Sequence, residues 1–510
     1  MLVKSLRLCV LILFPALLTA HAAAQTAEQK TAHYLDSIRK QPPLLLAFLH
    51  DMPKGGDLHN HLGGAVYAED AIDWAAADNF CVDRTTSRLT GAPCDTCEHY
   101  TPKPAIRCAY DDHVLYNQIV DAWSMRNWHD GDESGHDHFF ATFDKFGPVH
   151  STHNADAIAS VSNRAAKEHV QYIEFMHTAD GRAAAGLGMK LGDGSSDFAA
   201  FRDKLLAGGL KEITAATSKT LAEDEEQIHA KLRCGTPQAE PGCGVRVRYL
   251  YQVLRGLPRD AVFAQILLGF ELASSDPRFV GLNLVMPEDW YVPVHDFNLH
   301  MDMLDYLHGV YPKVHITLHA GELAAGLVEP EALSFHIRAS VERGHAERIG
   351  HGVDVMNEKD PIGLMREMAA KNVMVEINLT SNDQILGISG DEHPLPIYMK
   401  YGVPVAISTD DEGVARSDMT HEYLRAVEGY RLLYTELKRM TRQSIEHSFL
   451  PGPSLWASTK ESFKPVAACA AGTLGAEKPP SACAKFLESS EHAREQWKLE
   501  AAFAAFEKGF

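Results

Sequence analysis

The chain has 510 residues, 45% hydrophobic and 23% charged, an ordinary globular composition with ample material for a large core. Its formal charge of −20 repels polyanions, so nucleic acid is not expected as a partner, whereas a neutral or cationic small molecule fits better. Length alone admits one large α/β domain with additions or two to three smaller domains.

Residues 1–24 read as a secretory signal. Lys4 and Arg7 form the basic start, and Leu8 to Leu18 is an apolar stretch too short to span a bilayer. Ala20-His21-Ala22 and Ala22-Ala23-Ala24 offer small-residue cleavage patterns, and Cys9 lies inside the apolar stretch rather than at a lipoprotein cleavage point. No other segment approaches a transmembrane run. The expectation is an exported protein, periplasmic or extracellular, with no membrane contact after signal cleavage. Without Cys9, the cysteines are Cys81, Cys94, Cys97, Cys108, Cys234, Cys243, Cys469 and Cys483. An even set in an exported chain reads as disulfides. The pairs 234/243 and 469/483 close short loops; connectivity within 81–108 stays open.

Residues 25–52 form an N-terminal helical extension: Ala27 to Ile38 is helical, Pro42-Pro43 interrupts, and Leu44 to His50 resumes an apolar run. Gly55-Gly56 turns the chain into a short strand over Leu58–Leu62, followed by a helix over Ala65–Asp78. Residues 81–108 are a polar, Pro- and Cys-rich insertion, expected as a stapled surface loop. Val114 to Trp128 is helical. Phe139, Phe140, Phe143 and Phe146 recur at helical spacing and read as a core stripe, not an aromatic binding box. His129, His136, His138, His150 and His153 crowd the same region and read as a solvated face.

A strand–helix rhythm follows. Strands are expected at Val170–Phe175, Val245–Leu250, Phe279–Val285, Val314–His319, Arg348–His351, Val373–Asn378 and Val403–Asp410. A Gly-rich loop (179–196) and helices over 155–169, 197–230, 258–272, 297–310, 330–343, 360–371 and 420–440 stand between or after them, with a shorter segment at 394–401. With the His59 strand, the count is eight. Alternation of this kind implies a parallel sheet with right-handed crossovers, and eight repeats favour a closed (β/α)8 TIM barrel. No GxGxxG follows the first strand, which argues against a dinucleotide fold. The barrel is assigned to 53–453 and a C-terminal helical extension to 454–510.

Four strand ends carry chemistry. Residues i and i+2 of a strand point to one face, so His59 and His61 can aim two imidazoles at one point. The fifth strand ends in His319-Ala320-Gly321-Glu322, the sixth in Gly350-His351-Gly352 and the eighth in Thr409-Asp410-Asp411. In a barrel these ends converge, and His59, His61, His319 and Asp410 make a set of three imidazoles and a carboxylate suited to one Zn²⁺ per chain, with room for water. Zinc lowers the pKa of such a water to about 7. Glu322 is placed to move a proton to or from a substrate nitrogen. His351 can orient or deprotonate the water, and Asp411 can share a proton with the substrate. Taken singly, His319 reads as a core histidine, Asp410-Asp411 as a helix cap and Glu322 as a surface acid; their convergence at four strand ends argues against those readings. A second metal pattern, Pro93-Cys94-Asp95-Thr96-Cys97, matches half of a deaminase-type zinc signature, but no H-x-E precedes it and disulfide use is the better reading.

These segments resemble the adenosine deaminase family of metal-dependent amidohydrolases. Leu58-His59-Asn60-His61, Leu318-His319-Ala320-Gly321-Glu322, Arg348-Ile349-Gly350-His351-Gly352 and Ser408-Thr409-Asp410-Asp411 look like its signatures in its order. Leu44–His61, with Met52-Pro53-Lys54-Gly55, is similar to the secreted, growth-factor type, and Ser444–Pro451 to the family's post-barrel helix. The resemblance implies zinc on His59, His61, His319 and Asp410. It implies Glu322 protonating purine N1 while hydroxide attacks C6, His351 steering that attack, and Asp411 bonding N7. Two departures bear on substrate. Gly63 stands where the family has a ribose-binding Asp, and Val285-Met286-Pro287-Glu288-Asp289 replaces a Gly-acidic strand end. Pro287 has no N–H to offer. Gly63, Met286 and Glu288 are therefore candidate substrate contacts of unusual type.

The function expected is zinc-dependent deamination of a purine nucleoside, adenosine or 2′-deoxyadenosine. One alternative is another amino-heterocycle on the same machinery; another is a secreted binding or signalling protein that keeps the fold. Residues 27–52 leave two readings open, a homodimer contact or packing on the chain's own barrel.

Overall fold

The computed structural model describes residues 25–510 except His99, Asp130, Asp132, Ser151, Ser195 and Glu461, so the expected signal segment lies outside the described residues. Eight parallel strands form one sheet: β1 (Gly55–His61), β2 (Val170–His177), β3 (Arg246–Leu254), β4 (Phe279–Val285), β5 (His315–Ala320), β6 (Arg348–His351), β7 (Met374–Ile377) and β8 (Val405–Ile407). Each pairs with the next in sequence, and a parallel bridge between Asn60 and Asp410 joins the last strand end to the first. This is the expected (β/α)8 barrel. β4 is buried along its whole length, which is why it reads as an apolar run interrupted only by Asn283.

Helical segments differ from expectation where polar or small residues obscure the period. The Gly-rich stretch 179–196 contains a helix, Ala183–Leu191, packed against the helix Arg259–Ser275. The expected helix over 420–440 is two, Met419–Tyr430 and Tyr434–Glu446, divided where Arg431 takes a left-handed φ of 55°. A further helix, Leu379–Leu386, follows β7 directly. It buries Thr380, Ser381 and Asn382 together with Leu379 and Ile385, so polar residues interrupt its inward side and the sequence shows no clean amphipathic stripe.

The histidines of 129–153 are not a solvated face. Of the five, only His129 is exposed. His136 is buried and lies 2.9 Å from Asp289, and His153 stacks on Trp74 with ring centroids 5.3 Å apart. Burying an imidazole costs little when each ring nitrogen or face finds a partner.

Disulfides link Cys81 to Cys94, Cys97 to Cys108, Cys234 to Cys243 and Cys469 to Cys483. The first two staple the insertion, whose only regular pairing among the described residues is a two-residue ladder, Cys81–Val82 on Leu89–Thr90. The N-terminal helices Ala27–Ile38 and Pro42–Asp51 pack on the chain's own C-terminal helix, Glu491–Glu507: the Phe48 ring lies 5.2 Å from Phe506, and Lys438 bridges Glu28 and Glu507.

The barrel interior holds a charged layer. Arg348 is fully buried and contacts Glu376 and Glu174, each at 2.6 Å, while donating to the carbonyl of His447 at 2.8 Å. Burial would raise Glu376, but the charge of Arg348 and the hydrogen bond from His59 hold it down to about 2. Arg348→Met removes one cation from between two buried carboxylates. It is expected to destabilise the fold by about 3–5 kcal/mol, seen as a lowered urea midpoint. A midpoint equal to the parent's would show that the layer is not structural.

Candidate metal centre and active site

Four candidate ligands meet at the C-terminal mouth of the barrel. His59 and His61 are on β1, His319 is the penultimate residue of β5, and Asp410 follows β8. His59 Nε2 and His61 Nε2 each lie 3.3 Å from Asp410 Oδ1, and His61 Nε2 lies 3.1 Å from His319 Nε2. One donor atom from each of the four lies within 4.8 Å of every other.

The opposite ring nitrogens explain the aim. His59 Nδ1 is 2.6 Å from Glu376, His61 Nδ1 is 3.0 Å from Gln252, and His319 Nδ1 is 2.9 Å from Asn283. With Nδ1 occupied, each Nε2 is left to face the centre. His59 Nε2 and Asp410 Oδ1 are buried without a hydrogen-bond partner. Buried polar atoms are almost always satisfied, so this set fits a divalent cation of the Zn²⁺ type. Gly350 is required by packing: a Cβ there would sit 2.5 Å from His59 Cε1.

Three proton-handling groups stand beside the ligands. Glu322 is 7% exposed, and burial with the charges of Asp410 and Glu288 raises it well above the ordinary glutamate range. Both causes favour the protonated form of its carboxyl. His351 presents Nε2 3.9 Å from Asp410 Oδ2, with Nδ1 2.9 Å from Asn382. Asp411 is raised by burial and by Asp410, and its Oδ1 is buried without a partner. A Cβ on Gly64 would lie 1.7 Å from that oxygen, so only glycine leaves the carboxyl its place. Met286, His351 and Asp410 all have left-handed φ, at 89°, 68° and 60°. Such conformations are costly for residues with a Cβ and concentrate where a strand end must aim a side chain.

These groups open on a cavity of about 310 Å³. His61, His319, Asp410, Glu322, His351 and Asp411 line its polar wall. Leu254, Leu257, Val285, Met286, Pro287, Trp290 and Ile385 line much of the rest. Phe140 and Phe143 also line it, while Phe139 and Phe146 are buried, so the aromatic stripe serves both core and cavity. Gly63 and Met286 reach the cavity. Glu288 does not: it is 1% exposed behind the wall, its oxygens accept from the N–H groups of Gly321 and Glu322 at 3.1 and 2.8 Å, and His336 lies 2.6 Å away. Burial opposes its ionisation, but His336 and Arg255 hold it down to about 2. Its place is to fix the backbone that carries Glu322.

Sequence reading missed Glu376, Asn283, Gln252, Arg255 and Asn382. Glu376 had a signal: an acid inside the apolar run Val373–Ile377 breaks the buried-strand pattern and needs a partner. Arg255, fully buried, donates to the carbonyls of Met286 and His319 at 3.1 and 2.9 Å, a tie between three strand ends that no local pattern announces. Glu376→Gln keeps the shape but removes the charge behind His59. Metal affinity is expected to fall about 10–100-fold, measured by chelator competition, and an unchanged affinity would remove Glu376 from that role.

Residues 214–456 match the family model described as adenosine deaminase. Adenosine deaminase of Escherichia coli (strain SMS-3-5 / SECEC) is 38% identical over 137 residues, 27% of this chain. The chain thus spans 38% of the length of the curated relatives it matches. Arabidopsis ADAL, solved in complex with IMP, aligns with a TM-score of 0.50 at 20% identity, covering 79% of this chain and 93% of that one. The adenine deaminase of Arthrobacter aurescens aligns at 0.48 and 16% identity, covering 78% and 94%. Four ligand residues and three proton-handling groups thus stand at the strand ends of a barrel that is similar to the adenosine deaminase family over residues 214–456.

Proposed function

We propose that this protein is a zinc-dependent hydrolase that removes the 6-amino group of a purine nucleoside, adenosine or 2′-deoxyadenosine, releasing ammonia. The observation that carries the reading is the buried Glu322 beside a three-His, one-Asp set in which His59 Nε2 and Asp410 Oδ1 have no hydrogen-bond partner. A bound zinc ion supplies a water of lowered pKa and stabilises charge developing on oxygen. The chain's own groups do the rest. Glu322 gives its proton to the ring nitrogen next to the amine-bearing carbon, which makes that carbon electrophilic. His351 faces the side from which water adds. Asp411, whose protonated form is favoured by burial and Asp410, donates to a second ring nitrogen and fixes the orientation of the heterocycle. The amine leaves as ammonia and the 6-oxo product remains.

A second reading has its own support. In the cavity lining Gly63 carries no side chain to meet a ribose, and Pro287 has no N–H to offer a purine N3. An amino-heterocycle without ribose, including a modified purine or a pterin amine, would fit this lining. The IMP complex of Arabidopsis ADAL is a reason to include 6-aminopurine nucleotides among the substrates tested.

Export follows the same proposal. Four disulfides fit an oxidising compartment, the resemblance at Leu44–His61 is to secreted growth-factor-type enzymes, and among the described residues no helix is long and apolar enough to cross a membrane. Leu44 and Leu46, 44% and 47% exposed, leave an apolar face on the second helix for a homodimer contact.

Zinc-loaded protein incubated with adenosine, 2′-deoxyadenosine, adenine, AMP and a pterin amine is expected to release ammonia from a nucleoside fastest. Preference for a base without ribose would favour the second reading, and release from none would sink deamination. Glu322→Gln is expected to lower turnover by about 10²–10⁴-fold while zinc stays bound. Retained turnover would take the proton-donor role from Glu322.

A further inference from the structure

A chain of hydrogen bonds behind His351 has a fixed direction, because it begins at a donor of unambiguous identity. The Leu395 N–H donates to His393 Nδ1 at 3.1 Å. An imidazole nitrogen that accepts carries no proton, so a neutral ring holds its proton on the other nitrogen. His393 is 2% exposed, and burial lowers it to about 4, which keeps the ring neutral at physiological pH. Its Nε2–H then donates to Asn382 Oδ1 at 3.1 Å. That contact settles the orientation of the Asn382 amide. Its Nδ2 donates to His351 Nδ1 at 2.9 Å, Asn378 Nδ2 approaches the same nitrogen at 3.4 Å, and Glu322 Oε1 stands farther off at 3.6 Å, outside hydrogen-bond distance. His351 Nδ1 is therefore an acceptor, and the proton of the neutral ring sits on Nε2. That nitrogen is buried without a hydrogen-bond partner and is the one nearest Asp410.

We propose that Asn382 and His393 are positioning residues that lock His351 in its Nε2–H tautomer, so that His351 donates a hydrogen bond to the incoming water oxygen and does not take its proton. A ring nitrogen that already carries hydrogen has no lone pair to act as base. Of the two roles open to His351, orienting or deprotonating water, the relay selects the first. The segment 378–395 follows β7; its Ile385 lines the cavity, whereas Asn382 and His393 reach the site through His351. His393 has no place in the cavity lining, so its effect on the reaction passes through Asn382. The tautomer itself does not depend on the proposed deamination; only the kinetic readout does.

Neutron diffraction from crystals of the zinc-loaded protein exchanged into D₂O reads the tautomer directly. The expected map has deuterium on Nε2 of both His351 and His393 and none on either Nδ1. Deuterium on His351 Nδ1 would overturn the proposal. The kinetic arm uses shape-conserving changes. Asn382→Asp replaces the donor facing His351 with an acceptor and is expected to lower kcat about 100-fold or more, with KM within about threefold and zinc content unchanged. A purely structural role predicts near-parental kcat for this isosteric change. His393→Gln keeps one acceptor and one donor and is expected to stay within about threefold of the parent, whereas His393→Leu frees the Asn382 amide to turn and is expected to lose about tenfold. Parental kcat in Asn382→Asp, or equal losses in the two His393 variants, would contradict the relay. If Asn382→Asp does not fold, the His393 pair decides. If the parent turns over no aminopurine at all, the deaminase reading fails and the neutron map alone decides the tautomer.

Discussion

The two oxygens of Glu376 tie the barrel's frame to its chemistry. One lies 2.6 Å from His59 Nδ1 and so sets the tautomer and aim of the first metal-facing imidazole. The other accepts from Arg348 at 2.6 Å and from Thr317 at 2.9 Å. Arg348 extends the tie to Glu174 on β2, whose remaining oxygen accepts from Tyr172 and from the N–H of Phe449. A charge layer of this kind is expensive to desolvate and is tolerated because every member is paired in good geometry. The result is a strand barrel whose middle is stiff and whose mouth can hold unsatisfied groups.

Those unsatisfied groups are the second theme. His59 Nε2, His351 Nε2, Asp410 Oδ1 and Asp411 Oδ1 are all buried without hydrogen-bond partners, within one cavity wall and the layer just behind it. Elsewhere such atoms would signal instability. Here three are held from behind, His59 by Glu376, His351 by Asn382 and Asp410 by the backbone bridge to Asn60, and the neighbouring Glu322 is held by the grip of Glu288 on its own N–H. Acids pushed in opposite directions sit side by side for a physical reason. Glu288 has His336 and Arg255 to hold it down, whereas burial and neighbouring carboxylates push Glu322 and Asp411 up.

What the sequence revealed and what it hid follow from the range of the forces involved. The eight strands were legible because parallel strands buried on both faces leave continuous apolar runs, and β4 and β6 fall on the expected residues. The residues His59, His61, His319 and Asp410 were legible because polar groups stand at the ends of those runs. Residues acting from behind were not. Glu288 stands three residues beyond a strand end, as a substrate contact would, and only its backbone partners show that it faces away from the cavity. The helix Leu379–Leu386 was hidden because polar residues interrupt its inward side. The buried histidines near residue 136 looked solvated because their partners, Asp289 and Trp74, are remote in sequence.

The central claim is that four side chains at the barrel mouth hold one divalent metal in a site prepared by the charge layer beneath. Anomalous diffraction collected on either side of the zinc absorption edge, from crystals of the protein loaded with zinc, tests it most directly. The account predicts one strong peak bonded to Nε2 of His59, His61 and His319 and to the Asp410 carboxylate. A peak on other side chains, or no ordered zinc at the barrel mouth, would contradict it.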